Sequence, residues 1–205
     1  MENRETFFAR LEPFYAPSQM YDVKLAYMLA KFGHRAQVRK ELVDGVPLRY
    51  FEHLRRVALV LIDQVKIVDP IMVIGALMHD SLEDTRDLSP GLLEHCFGAD
   101  LVTIVRALSK VPKEGYIERL EMCTDWRVLL LKGCDRYDNL MSIEEMPVEF
   151  IAKQVKETRQ KYVPLFKKMI DLTPVVHKDS AVNLYTMLVE RLIQLEDKYE
   201  ILHKY

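Results

Sequence analysis

Residues Ile71 to Met78 are eight apolar positions in a row, closed in front by Asp69-Pro70 and behind by His79-Asp80. An aspartate that can accept from the free amides of a first turn, followed by a proline preset for that turn, marks a helix start. A helix that is apolar all round has no face to offer water, so it belongs at the centre of a core with the rest of the chain wrapped about it. The polar pair at its end then needs a reason, because burying a carboxylate is costly unless it is paired or coordinates a metal.

Helix signals recur through the chain and strand signals do not. Ser18 reads as a cap leading into a stripe of Tyr21, Leu25, Met28, Leu29 and Phe32 that carries on towards Arg39 and Lys40, until Gly45 and Pro47 break it. His53, Val57, Leu61 and Val65 share one helical face, so His53 opens a core-facing helix. Ser89-Pro90 repeats the start signal, Gly98 stops that helix, and Leu101, Ile104, Val105 and Leu108 form the next amphipathic segment. Thr124 or Asp125 caps a helix from Trp126 to about Leu140, in which Val128, Leu131, Asp135 and Asn139 share a face. Pro147 opens a segment with Ile151, Val155, Thr158 and Tyr162 in line, and Pro164 is expected to kink or break it. Asp179 caps a long last helix, spanning 179–203, with Leu184, Leu188, Arg191, Leu195 and Leu202 on its buried side. The expectation is an all-α bundle of about eight to ten helices, forming one domain over residues 1–205.

Composition removes several function classes. With 29 basic and 31 acidic residues the net charge is −2, so no bulk field draws the molecule to nucleic acid or to an anionic membrane, and an anionic ligand must be held by a local cluster. The three cysteines, Cys96, Cys123 and Cys134, make no CxxC pair and suggest buried thiols in a reducing compartment. The opening MENRETFF has no signal-peptide pattern and no apolar run is long enough to span a bilayer, so a cytoplasmic protein is expected.

Four residues carry the chemistry: His53, His79, Asp80 and Asp135, in the order H…HD…D. Neutral imidazoles and carboxylate oxygens suit a hard divalent ion, Mn²⁺, Fe²⁺ or Mg²⁺, with room left for water and a phosphate oxygen. Glu83 follows His79 by four residues, one helical turn along the same side if the helix continues, and Asp84 stands beside it.

The surrounding strings resemble the hydrolase domain of the RelA/SpoT alarmone enzymes, within the HD superfamily of metal-dependent phosphohydrolases. HRAQVRK (34–40) is similar to HxxQxRK, YFEH (50–53) to the string ending in the first metal histidine, and ALMHDSLEDT (76–85) to LLHDxxEDT. KGCDRYDNLMS (132–142) is similar to KLADRLHNMRT and ETRQKYVPL (157–165) to ETxxIYAPLA, so the likeness covers roughly residues 20–170. It implies an HD-domain fold with one Mn²⁺, more than Fe²⁺ or Mg²⁺, on His53, His79, Asp80 and Asp135. Glu83 and Asp84 would activate water, Arg39 and Lys40 would lie against the base, with the Arg39 guanidinium able to stack on it, and Asn139 and Ser142 would lie near the sugar and metal. The chain departs from the family in a longer stretch between Lys40 and His53, in Glu41, where serine is common, and in Leu54, where proline is usual.

The implied activity is 3′-pyrophosphohydrolysis of guanosine tetra- or pentaphosphate, with Lys110, Lys113, Arg127 and Lys132 as candidates to offset charge on the departing pyrophosphate. Two alternatives stay open. One is an HD phosphohydrolase for another nucleotide, such as an adenosine alarmone, a nicotinamide dinucleotide phosphate or a nucleoside monophosphate. The other is a non-catalytic nucleotide- or protein-binding module.

Overall fold

The computed structural model describes residues 3–43 and 45–201. Among these, ten α-helices have seven residues or more, two are shorter, and the β-structure is a single two-stranded hairpin. In chain order the helices are α1 (Arg4–Ala9), α2 (Pro17–Gly33), α3 (Tyr50–Leu59), α4 (Pro70–Met78), α5 (Ser81–Asp84), α6 (Pro90–Phe97), α7 (Ala99–Leu108), α8 (Tyr116–Met122), α9 (Trp126–Met141), α10 (Val148–Glu157), α11 (Val163–Leu172) and α12 (Lys178–Lys198). The helical class and the helix count follow the sequence reading.

The apolar run is α4, and it occupies the centre: Met72 through Met78 are all buried, and α2, α3, α7 and α9 pack around it. Asp69 caps it by accepting from the Met72 amide at 3.0 Å, with Pro70 in the first turn. Close approach of α9 depends on Gly75, where a Cβ would stand 2.9 Å from Leu131 Cδ1. The starts at Ser89 and Asp125 and the stop at Gly98, with φ of 86°, also follow the local signals.

Four expectations are corrected. The stripe on α2 faces outward: Tyr21, Met28 and Phe32 are 67%, 58% and 52% exposed, while Met20, Val23, Ala26, Tyr27 and Ala30 are buried. Both faces are apolar, and the one bearing two alanines lets α2 lie close against α4, which the bulky face does not. Second, α2 ends at Gly33 instead of running on to Arg39 and Lys40, which lie on β1 (Val38–Val43); β1 pairs antiparallel with β2 (Val46–Arg49), Val38 opposite Arg49. Third, α2 is capped at Ala16 with Pro17 in its first turn, and α12 at His177, so Ser18 and Asp179 sit just inside their helices. Fourth, α12 ends at Lys198, with Glu200 at φ of 51° just beyond; the expected contact at Leu202 lies outside the described residues.

The interruption expected at Pro164 takes the form of a π-helical turn, Thr158–Tyr162, which separates α10 from α11 and leaves Pro164 in the first turn of α11, where a missing amide is tolerated.

Candidate metal centre and its cleft

The quartet comes from four elements that meet at the C-terminal end of α4. His53 lies on α3, His79 closes α4, Asp80 opens α5 and Asp135 projects from α9. Ligating atoms of His53, His79 and Asp80 lie within 4.8 Å of one another. Asp135 Oδ1 is 3.2 Å from His53 Nε2 and 3.7 Å from His79 Nε2, and Asp80 Oδ2 is 3.8 Å and 3.0 Å from the same two atoms. All four residues are buried.

Each is held from behind. His79 Nδ1 bonds the Ala76 carbonyl at 2.8 Å, and His53 Nδ1 bonds Asp138 Oδ2 at 2.7 Å, so both Nε2 atoms face the carboxylates. Asp135 accepts from Asn139 Nδ2 and from the Lys132 ammonium, each at 2.7 Å, and Asp80 accepts from the Tyr50 hydroxyl at 2.6 Å.

This donor set fits a divalent cation. The buried Nε2 of His79 has no hydrogen-bond partner, although Asp80 Oδ2 lies 3.0 Å away. Burial by itself would lower the His79 pKa, but the Asp80 and Asp135 carboxylates outweigh it and lift it to about 10. Burial would likewise raise both aspartates, yet the cations around them hold Asp80 and Asp135 well below the usual carboxylate range. The pocket thus concentrates negative charge on inward-facing oxygens and draws a positive charge into their midst.

Asp135 opens onto a cleft of about 760 Å³. Arg39, Lys40, Asn139 and Ser142 line it, as do Lys110, Lys113 and Lys132, so the expected substrate-side residues are brought to one place. Arg39 bonds Asn139 Oδ1 at 2.8 Å and Ser142 Oγ at 3.4 Å; its guanidinium is thereby tied to the far wall. Lys40 lies over the Phe150 ring at 5.7 Å.

Glu83 and Asp84 lie on α5. The helix assumed to run from His79 to Glu83 is interrupted at His79 and Asp80, and α5 restarts as a four-residue helix. Glu83 is half-buried and faces the cleft's Lys110, accepting from its amide at 3.0 Å and lying 3.5 Å from its ammonium. The Asp84 carboxyl is raised by partial burial and by its acidic neighbours Asp80 and Glu83.

No family model matches the chain. It is similar to the guanosine-3′,5′-bis(diphosphate) 3′-pyrophosphohydrolase of Aquifex aeolicus, 33% identical over 162 residues that make up 75% of this chain and 22% of that protein. It is 26% identical over 171 residues to the bifunctional (p)ppGpp synthase/hydrolase SpoT of Escherichia coli, covering 78% of this chain and 23% of that protein. The chain spans between a fifth and a quarter of these curated relatives. A solved structure of a metazoan orthologue of SpoT that hydrolyses ppGpp superposes with a TM-score of 0.60 at 26% identity, over 88% of this chain and 97% of that one. The chain belongs to the RelA/SpoT family.

Some of what surrounds this RelA/SpoT centre departs from the sequence reading. Arg127 is not in the cleft: it pairs with Asp100 at 2.6 Å and Asp125 at 2.8 Å, tying the start of α9 to α7. Arg136 and Lys161 line the cleft in its place, Arg136 stacked 3.9 Å over the Tyr162 ring and bonded to Gln154 Oε1 at 2.9 Å. Asp138 was also missed. It lies three residues beyond Asp135 on the helix of a metal ligand, a spacing that could have drawn notice, but its partner Arg56 comes from another helix.

Proposed function

We propose that the chain is a metal-dependent 3′-pyrophosphohydrolase of guanosine alarmones, taking (p)ppGpp to GDP or GTP and pyrophosphate. The observation that carries this is a buried two-histidine, two-aspartate cluster whose Asp135 lines a cleft with Arg39, Lys40, Lys110, Lys113, Arg136 and Lys161 on its walls. A polyanion fits such walls, although the chain as a whole carries a net charge of only −2. The named activities of the relatives point to the same substrate.

In this reading His53, His79, Asp80 and Asp135 hold one ion, Mn²⁺ before Fe²⁺ or Mg²⁺. When bound, the ion lowers the pKa of water and neutralises phosphate charge. Glu83 and Asp84 orient water and take its proton; partial burial and the neighbouring Asp80 and Glu83 charges raise the Asp84 carboxyl and so strengthen it as a base. The water oxygen bonds to the phosphorus next to the ribose, the bond from that phosphorus to the ribose 3′-oxygen breaks, and that oxygen takes up a proton as pyrophosphate departs. Lys110, Lys113, Lys132, Arg136 and Lys161 offset the charge on the departing group. Lys40 and Arg39 border the base, and Asn139 and Ser142 the sugar. A nucleotide is thus the partner, in the cytoplasm; among the described residues no helix is long and apolar enough to cross a membrane.

The test is a nucleotide panel incubated with purified protein and Mn²⁺, scoring pyrophosphate and orthophosphate separately. Pyrophosphate from guanosine alarmones is expected. Orthophosphate from nucleoside monophosphates, or pyrophosphate from adenosine alarmones alone, would overturn the assignment.

A further inference from the structure

His53 and His79 present equivalent Nε2 atoms to the cluster, but what stands behind them differs. Behind His79 is a neutral backbone carbonyl, that of Ala76. Behind His53 is the Asp138 carboxylate, Oδ2 to Nδ1 at 2.7 Å, in a residue only 4% exposed. Asp138 is in turn gripped by Arg56, whose Nε donates to Oδ1 at 2.7 Å and whose second nitrogen donates to Oδ2 at 3.2 Å. The Arg56 side chain is 30% exposed, so the line runs from solvent through Arg56 and Asp138 to His53 and the cluster. In KLADRLHNMRT, the string that Lys132 to Ser142 resembles, histidine stands at the place of Asp138, so the carboxylate is a departure from that string.

We propose that Asp138, clamped by Arg56, is the positioning residue that fixes His53 as the Nδ1–H tautomer with Nε2 free for the cation, and so sets how tightly the centre holds its metal. An ionised carboxylate only accepts hydrogen bonds, so in the neutral ring Nδ1 carries the hydrogen and Nε2 presents its lone pair. The same negative charge increases the donor strength of the ring, as in carboxylate–histidine–metal arrangements. Arg56 holds Asp138 in register through its two hydrogen bonds to the carboxylate. An amide at position 138 lacks the charge and can donate to Nδ1 from its NH₂ side, which permits the tautomer whose Nε2 cannot bind a metal.

The proposal rests on the reading that the cluster takes a divalent cation, and the experiment separates the two. Mn²⁺ is titrated into metal-free wild type, Asp138→Asn and Arg56→Gln, with free aqueous Mn²⁺ followed by electron paramagnetic resonance. Metal-free melting curves report folding, and alarmone hydrolysis is measured at low and saturating Mn²⁺. Asp138→Asn is expected to bind Mn²⁺ roughly 10- to 100-fold more weakly, with turnover largely restored by excess Mn²⁺. A merely structural lesion would not be rescued in that way. Arg56→Gln, at a partly exposed site, should fold normally and bind Mn²⁺ more weakly than wild type; it decides the matter if Asp138→Asn does not fold. Wild-type affinity in a folded Asp138→Asn, or in Arg56→Gln where that is the deciding variant, overturns the proposal. A wild type that binds Mn²⁺ but spares every alarmone overturns the functional reading and leaves the Asp138 effect to be judged on affinity; a wild type that takes up no Mn²⁺ overturns both.

Discussion

Lys132→Met tests the electrostatics of the centre most directly. The ammonium is buried, 2.7 Å from Asp135 Oδ2, and lies over the Tyr116 and Tyr162 rings at 5.7 and 5.9 Å. Burial alone would lower the lysine pKa, but the Asp135 carboxylate outweighs this and holds it charged. Methionine has nearly the same length, so the chief change is one lost positive charge beside a buried carboxylate. Removing one partner of a buried pair costs about 3 to 5 kcal/mol. Asp135 keeps Asn139 at 2.7 Å and the two histidines at 3.2 and 3.7 Å, which places the expected cost at the lower end, about 3 kcal/mol. For a chain of 205 residues that corresponds to a fall in Tm of about 6 to 12 °C in the metal-free protein. Saturating Mn²⁺ should narrow the gap, because the ion replaces the missing charge and no longer competes with a neighbouring ammonium. The assay is a thermal melt of wild type and variant with chelator and with Mn²⁺. An unchanged metal-free Tm would refute the cost assigned to the pair, and a gap that widens with Mn²⁺ would refute the idea that ammonium and ion oppose each other.

Three further outcomes are expected. Glu83→Gln should keep Mn²⁺ uptake and substrate affinity but lose turnover by about 10²- to 10⁴-fold; near wild-type hydrolysis would remove Glu83 as the base. Metal uptake should release protons: with His79 lifted to about 10, the metal-free centre is protonated there at neutral pH, while ligation needs the neutral ring. Calorimetry at pH 7.5 in buffers of different ionisation enthalpy should then show about one proton or more released per ion, with affinity rising roughly tenfold per pH unit up to about pH 10; no release would contradict the charge balance described. Gly75→Val should destabilise the fold by about 1 to 3 kcal/mol by pushing against Leu131, with a lower midpoint in urea; an unchanged midpoint would show that α9 has slack there.

Much of the fold was legible because its signals are local. Asp69-Pro70, Ser89-Pro90 and Asp125 mark helix starts within one turn, and eight successive apolar residues admit only a central helix. The His79-Asp80 pair was legible for a related reason, since a carboxylate directly after such a run has few ways to be accommodated, and His53 and Asp135 joined it through the order H…HD…D and the family resemblance. Other features depended on competition between distant partners. Nothing in 38–49 alternates in the manner of a strand, and the hairpin exists because β1 and β2 satisfy each other's backbone groups. Two apolar faces of α2 were available, and contact with α4 selected the one that packs closely.

Residue types and their order therefore determined, by themselves, that the chain is helical and that His53, His79, Asp80 and Asp135 belong together. Tertiary structure alone decided which cations serve that cluster. It sent Arg127 to Asp100, brought Arg136 and Lys161 into the cleft, and set Arg56 against Asp138 across 82 positions of sequence. A cap or an apolar stripe is stabilised within a turn or two of chain, so sequence carries it. A charged side chain takes whichever partner the packed helices place within about 3 Å, and that choice is made only once the core has formed.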